Sequence, residues 1–98
     1  MINRTNLNNS LKVILDNWDD EIEGLEKDIY KVKDEGKEEY YKRMNELKDQ
    51  KSALQEQVDS IQEASEKGLE EIEEGLESAK DTFKETLEKT KSLFKENE

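Results

Sequence analysis

The chain has 98 residues, 27 of them acidic and 16 basic, for a net charge of −11, and it contains no histidine, cysteine or proline. With 44% charged, 31% apolar and 6% aromatic residues, the composition lies between an acidic disordered segment and a fibrous helix. It excludes thiol and imidazole chemistry and the usual zinc or copper ligand sets. The acidic balance also disfavours phosphate contacts with nucleic acid and docking on an anionic membrane.

The first ten residues include four asparagines with Thr5 and Ser10, side chains that compete for backbone hydrogen bonds. This stretch is predicted to be a flexible N-terminal tail over 1–10, with Ser10 or Thr5 as the helix N-cap. No long apolar run follows Met1, so neither a secretory leader nor a spanning helix is expected, and the reading is cytoplasmic.

From Leu11 the apolar residues become periodic. Leu11, Trp18, Leu25 and Val32 are seven apart, and Leu15, Ile22, Ile29 and Gly36 form a second series offset by four. This is the seam of a coiled coil. A later run, Tyr40, Leu47, Leu54 and Ile61 beside Met44, Lys51, Val58 and Ser65, is one residue out of phase. A helix can pass through such a slip while its stripe drifts. Residues 11–65 are therefore predicted to be one heptad-patterned helix. Glu23/Lys27, Glu38/Lys42, Glu39/Arg43, Glu63/Lys67 and Glu85/Lys89 add favourable spacing of four.

Beyond Ile61, the series Ile61, Ile72, Phe83, Phe94 and Ser65, Leu76, Leu87 are spaced by eleven. That repeat predicts an amphipathic helix over 69–95 with a nearly straight stripe, and a frayed end at 96–98. Between the halves, Ala64-Ser65-Glu66-Lys67-Gly68-Leu69 reads as a helix end with Gly68 at a left-handed cap. Alternatively, Gly68 sits inside a continuous helix at a cost of about 1 kcal/mol. The fold class is all-α: a long coiled-coil helix, with a corner near 64–69 making a helical hairpin.

An unbroken helix would be about 130 Å long with its seam in water, and a hairpin would leave half of the first arm uncovered. Both forms predict self-association as a dimer or larger bundle. The expected interface is Leu11, Leu15, Trp18, Ile22, Leu25, Ile29, Leu47, Leu54, Val58 and Ile61. The acidic runs Asp16-Asp19-Asp20-Glu21-Glu23 and Glu70-Glu71-Glu73-Glu74 read as solvated faces, because carboxylates spread around a helix do not converge on a cation. No catalytic, cofactor or metal residue is assigned, and a rod offers no pocket for an enzyme. An alternative use of residues 69–95 is a lipid-surface helix, with Phe83, Leu87, Leu93 and Phe94 apolar and Lys80, Lys84, Lys91 and Lys95 basic. Residues 59–98 nevertheless hold 13 acids against six lysines, which favours self-packing.

Several segments together resemble small bacterial coiled-coil proteins assigned to a cyanobacterial-type stress-response family. They are Leu15-Asp16-Asn17-Trp18-Asp19-Asp20-Glu21-Ile22 with Leu25-Glu26, Glu39-Tyr40-Tyr41-Lys42, Asn45-Glu46-Leu47-Lys48, Glu63-Ala64-Ser65 and the stretch Gly75 to Lys84. The resemblance spans about residues 11–95; where family members carry a tryptophan after the Ala-Ser pair, this chain has Leu69 and Ile72. It implies a stress-linked, non-enzymatic role and offers no catalytic residues to carry over. The leading expectation is a self-associating interaction or stress-protection module with a possible protein partner.

Overall fold

The computed structural model describes residues 3–95, so Met1, Ile2 and the expected frayed end 96–98 lie outside the described residues. Three α-helices make up most of it: α1 (Arg4–Lys27), α2 (Lys37–Ser60) and α3 (Glu66–Lys91). They run up, down and up in a bundle of 48 × 19 × 17 Å. The all-α expectation holds.

The predicted tail is largely helical. Asn3 is extended (φ −92°, ψ 120°) and its Oδ1 accepts the Asn6 N–H at 3.0 Å, so Asn3 caps α1 rather than Thr5 or Ser10. The reason is tertiary. Starting the helix at Arg4 buries Leu7, 6% exposed, one turn ahead of Leu11. Burying a leucine is worth about 1.5–3 kcal/mol, enough to outweigh the weak helix preference of the surrounding asparagines. It also lets Arg4 donate from Nε to the Ile61 carbonyl at 3.0 Å and from a terminal nitrogen to the Ala64 carbonyl. One guanidinium thereby serves two carbonyls at the corner that follows α2.

The phase slip expected within one continuous helix is instead a corner. α1 ends at Lys27, two 3₁₀ turns follow (Asp28–Lys31 and Asp34–Gly36), and only Val32 (ψ 137°) and Lys33 (ψ 145°) between them are extended. A rod crossing the slip would rotate one stripe away from the other. Turning back places both stripes face to face, with Val32 and Tyr40 fully buried where they meet. The second corner, 61–65, overlaps the expected 64–69 but is built differently. Ala64 N–H bonds to the Ile61 carbonyl, and Ser65 caps α3 with its Oγ accepting the Gly68 N–H at 3.1 Å. Gly68 therefore lies in the first turn of α3, and no described glycine has a positive φ.

The core of α3 also departs from expectation. Its buried positions are Leu69, Leu76, Phe83 and Thr90, seven apart, with half-buried Ile72, Ala79 and Leu93 and buried Thr86 on the neighbouring series of seven. The eleven-residue spacing is real in the sequence, but packing follows the heptad. Two buried threonines hide that period from a reading of apolar residues alone. Both sit in the core because their hydroxyls donate to the carbonyls one turn back: Thr86 to Thr82 at 3.0 Å and Thr90 to Thr86 at 2.7 Å. The Gln50 side-chain amide of α2 reaches across to donate to Thr86 Oγ1 at 3.2 Å.

At one end of the bundle the chain closes on itself. Val32 pairs with Phe94 in an isolated antiparallel bridge, and the Phe94 ring tilts against Tyr40 at 5.9 Å. The Tyr40 hydroxyl donates to the Leu25 carbonyl at 2.6 Å. Ion pairs sew the flanks: Lys48 to Glu26 at 3.4 Å, Lys51 to Asp19, and Lys91 to Glu21 at 3.3 Å. Of the helical pairs expected from spacing, Glu23–Lys27, Glu39–Arg43 and Glu85–Lys89 form. Glu23–Lys27 and Glu85–Lys89 are exposed and Glu39–Arg43 is half-buried, and each adds a few tenths of a kcal/mol.

Candidate functional site: the groove between α1 and α3

Nine of the ten residues expected to form a self-association seam are buried inside this single chain, and the tenth, Ile29, is packed against them. Within one chain these residues form the core. The stripe of α1 that a rod would leave in water is covered by α2 and α3. Trp18 is 7% exposed and stacks on Phe83 with centroids 4.1 Å apart and planes 1° from parallel, which joins α1 to α3 at mid-height. An aromatic pair of this kind adds about 0.5–1.5 kcal/mol beyond its burial.

α1 and α3 both neighbour α2 and run parallel to each other, so a groove opens between them on the face away from α2. Its wider part, about 1160 Å³, has Leu7, Ile14 and Leu76 as its floor. Asn6, Asn9, Ser10 and Val13 form the α1 rim, and Glu73, Glu74, Glu77 and Lys80 the α3 rim. It continues past Ile14 and Lys80 into a smaller depression of about 340 Å³ bounded by Asn17, Trp18, Phe83 and Leu87, with Glu21, Asp81 and Lys84 as its charged lining. Val13 is 59% exposed at the rim, and Ile14 beside it is half-buried.

Periodicity explains why this place is inconspicuous in the sequence. Asn6, Asn9, Val13 and Asn17 recur at steps of three or four and form an uncharged stripe on a highly charged chain, which is not an apolar seam. The first fifteen residues hold Arg4 and Lys12 and no acid, a local signal in the sequence that could have marked the site.

The other candidates resolve as structure. Asp16, Asp19, Asp20, Glu23 and Glu26 flank a shallow α1–α2 depression together with Lys48 and Lys51, which neutralise part of it. Among the described residues, no three carboxylates are placed to hold one metal ion. Burial and the nearby Asp28 carboxylate push the Tyr40 hydroxyl from 10.0 up to about 12, so the phenol stays neutral in its role as a donor. The apolar face of the 69–95 segment, with Leu69, Leu76 and Phe83, is buried against the other helices. Tyr41 is half-exposed on α2, as its neighbour Tyr40 turns inward. No helix among the described residues is long and apolar enough to cross a membrane.

The fold defines a class, the antiparallel three-helix bundle closed by two short corners. Compared with known protein families, curated proteins and solved structures, the chain matches none.

Proposed function

We propose that this chain is a non-enzymatic helical interaction module whose binding surface is the α1–α3 groove. The observation that carries the reading is the position of the exposed Val13 and half-buried Ile14 on the rim of an open groove, while the heptad stripes of all three helices face inward. An apolar floor rimmed by polar side chains, on a surface otherwise dense in charge, is the form of a helix- or peptide-receiving site. The chain's own core is complete, so the groove is left for a partner, and self-association through the buried seam would require the bundle to open. A stress-linked role, as the resemblance implies, and a cytoplasmic setting both fit this proposal.

The test is a photo-crosslinking side chain placed at Val13 in cells that make the protein, with Tyr41 on α2 as the exposed control. A discrete adduct from position 13 that is absent from position 41 supports the reading. Identical patterns from both positions, or no adduct from position 13, would refute it.

A further inference from the structure

The corner between α2 and α3 is built from helix-compatible residues. Gln62, Glu63, Ala64, Glu66 and Lys67 all form helices readily, and the corner holds no proline and no positive φ. Only Ala64 and Ser65 lie outside helix and turn. Ile61 is already helical (φ −64°, ψ −31°), and Ser65 is extended at ψ 172°, where a helix has about −40°. One series of seven, Val58, Ser65, Ile72, Ala79, Thr86 and Leu93, crosses the corner unbroken, so a straight helix would keep that stripe on one side. The first corner differs, since buried Val32 and Tyr40 and the bridge to Phe94 hold it from within.

Hydrogen bonding is what stops the helix at the second corner. In a continuous helix the Ile61 carbonyl accepts the Ser65 N–H, and the Ala64 carbonyl accepts the Gly68 N–H. Here the Arg4 guanidinium occupies both carbonyls, donating from Nε to Ile61 at 3.0 Å and from a terminal nitrogen to Ala64. The Gly68 N–H goes instead to Ser65 Oγ at 3.1 Å. We infer that this corner is a hinge latched by Arg4, and that releasing the latch lets α2 and α3 fuse into one helix whose α3 half packs on the α1–α2 pair of a second copy of the chain.

The fused helix, from Lys37 to Lys91, is about 80 Å long and cannot return α3 to its own α1–α2 pair. Leu69, Leu76 and Phe83 would then face water. A second copy opened in the same way presents the identical surface, and the exchange restores the contacts of α3, the Trp18–Phe83 stack included. Two effects hold the closed form against this exchange. A short tether keeps α3 at an effective concentration of about millimolar near its own partners, and two chains of net charge −11 repel.

The experiment uses the full chain in about 0.5 M salt, which screens charges beyond about 10 Å, and reads dimerisation by sedimentation equilibrium. Wild type should dimerise only near about millimolar concentration. Arg4→Ala should tighten the dimer about a hundredfold, tenfold for each of its two hinges. Ser65→Ala frees the Gly68 N–H without touching α1 and should act in the same direction. Glu66→Pro suits the first position of α3 and blocks helix continuation, so it should return both variants to monomers. The chain has no cysteine, so Asp49→Cys and Glu88→Cys accept one pair of spin labels. These positions flank the Gln50–Thr86 contact in a bundle 19 Å wide. In Arg4→Ala, with labelled chains diluted in unlabelled ones, their separation should lengthen to about 60 Å, the span of thirty-nine helical residues. A dimer that keeps the short separation, or one that survives Glu66→Pro, would overturn the hinge. So would monomers at every concentration in both Arg4→Ala and Ser65→Ala.

Discussion

Replacing Tyr40 with phenylalanine isolates one hydrogen bond at the α1–α2 corner. The Leu25 carbonyl belongs to the last turn of α1, where the chain passes into 3₁₀ geometry and helical partners run out. Tyr40, with no exposed surface, supplies the donor at 2.6 Å. Tyr40→Phe keeps the ring and leaves that carbonyl buried without its donor, a loss of about 1–3 kcal/mol near neutral pH. The alkaline limb gives the sharper signature. The hydroxyl is lifted from 10.0 to about 12, and a tyrosine is neutral while protonated, so its contribution is complete below pH 10 and is lost as pH rises through about 12. Linkage puts that loss at about 1.4 kcal/mol by about pH 11 and about 2.3 kcal/mol by about pH 12. Every other ionisable group is common to both proteins and cancels in the difference. Urea unfolding followed by circular dichroism at a series of pH values should therefore show a gap between wild type and variant that is constant up to about pH 9.5 and closes by about pH 12. A gap that stays constant across the alkaline range would refute the assigned role of the Tyr40 hydroxyl.

Two further substitutions test the helices and their packing. Gly24 and Gly75 are helical, and a Cβ at either position meets nothing within 4 Å, so Gly24→Ala and Gly75→Ala should each stabilise by about 0.5–1 kcal/mol. Calorimetry should show a rise in Tm of roughly 4–8 °C per kcal/mol for a domain of this size, and an unchanged or lower Tm would place a neighbour where the structure has open space. Phe83→Ala should cost about 3–5 kcal/mol and collapse the near-ultraviolet signal of Trp18, since it removes the ring stacked on that indole; wild-type stability would mean that α1 and α3 are not joined there.

Much of the fold can be read along the chain because helix formation is a local matter. Spacing by seven identifies Leu11, Trp18 and Leu25 on α1 and Tyr40, Leu47 and Leu54 on α2 without any tertiary knowledge. What it leaves open is the surface those stripes face. The residues that decide this look weak in sequence. Val32 and Lys33 are extended although neither is a glycine or a proline, and the turn they make is held from outside by Phe94, Tyr40 and Leu93. The start of α1 depends on distant residues in the same way. Asparagine propensity argues for a tail, and the Arg4 contacts to Ile61 and Ala64 that overrule it are with residues 57 and 60 positions away. In α3, Thr86 and Thr90 count as polar in any hydropathy pattern, yet each satisfies its own hydroxyl and packs as a small branched side chain.

The groove was legible only in hindsight, as an uncharged asparagine and valine stripe in a chain with 44% charged residues. Its existence depends on α1 and α3 lying side by side, which no local pattern encodes.

By itself, then, the sequence determined that this acidic chain is helical, where the apolar stripes of α1 and α2 run, and that those stripes need a cover. Tertiary structure decided what covers them. Closing a corner of a few residues within one chain costs little entropy, whereas recruiting a second molecule loses translational and rotational freedom. The seam is therefore filled by the chain's own helices.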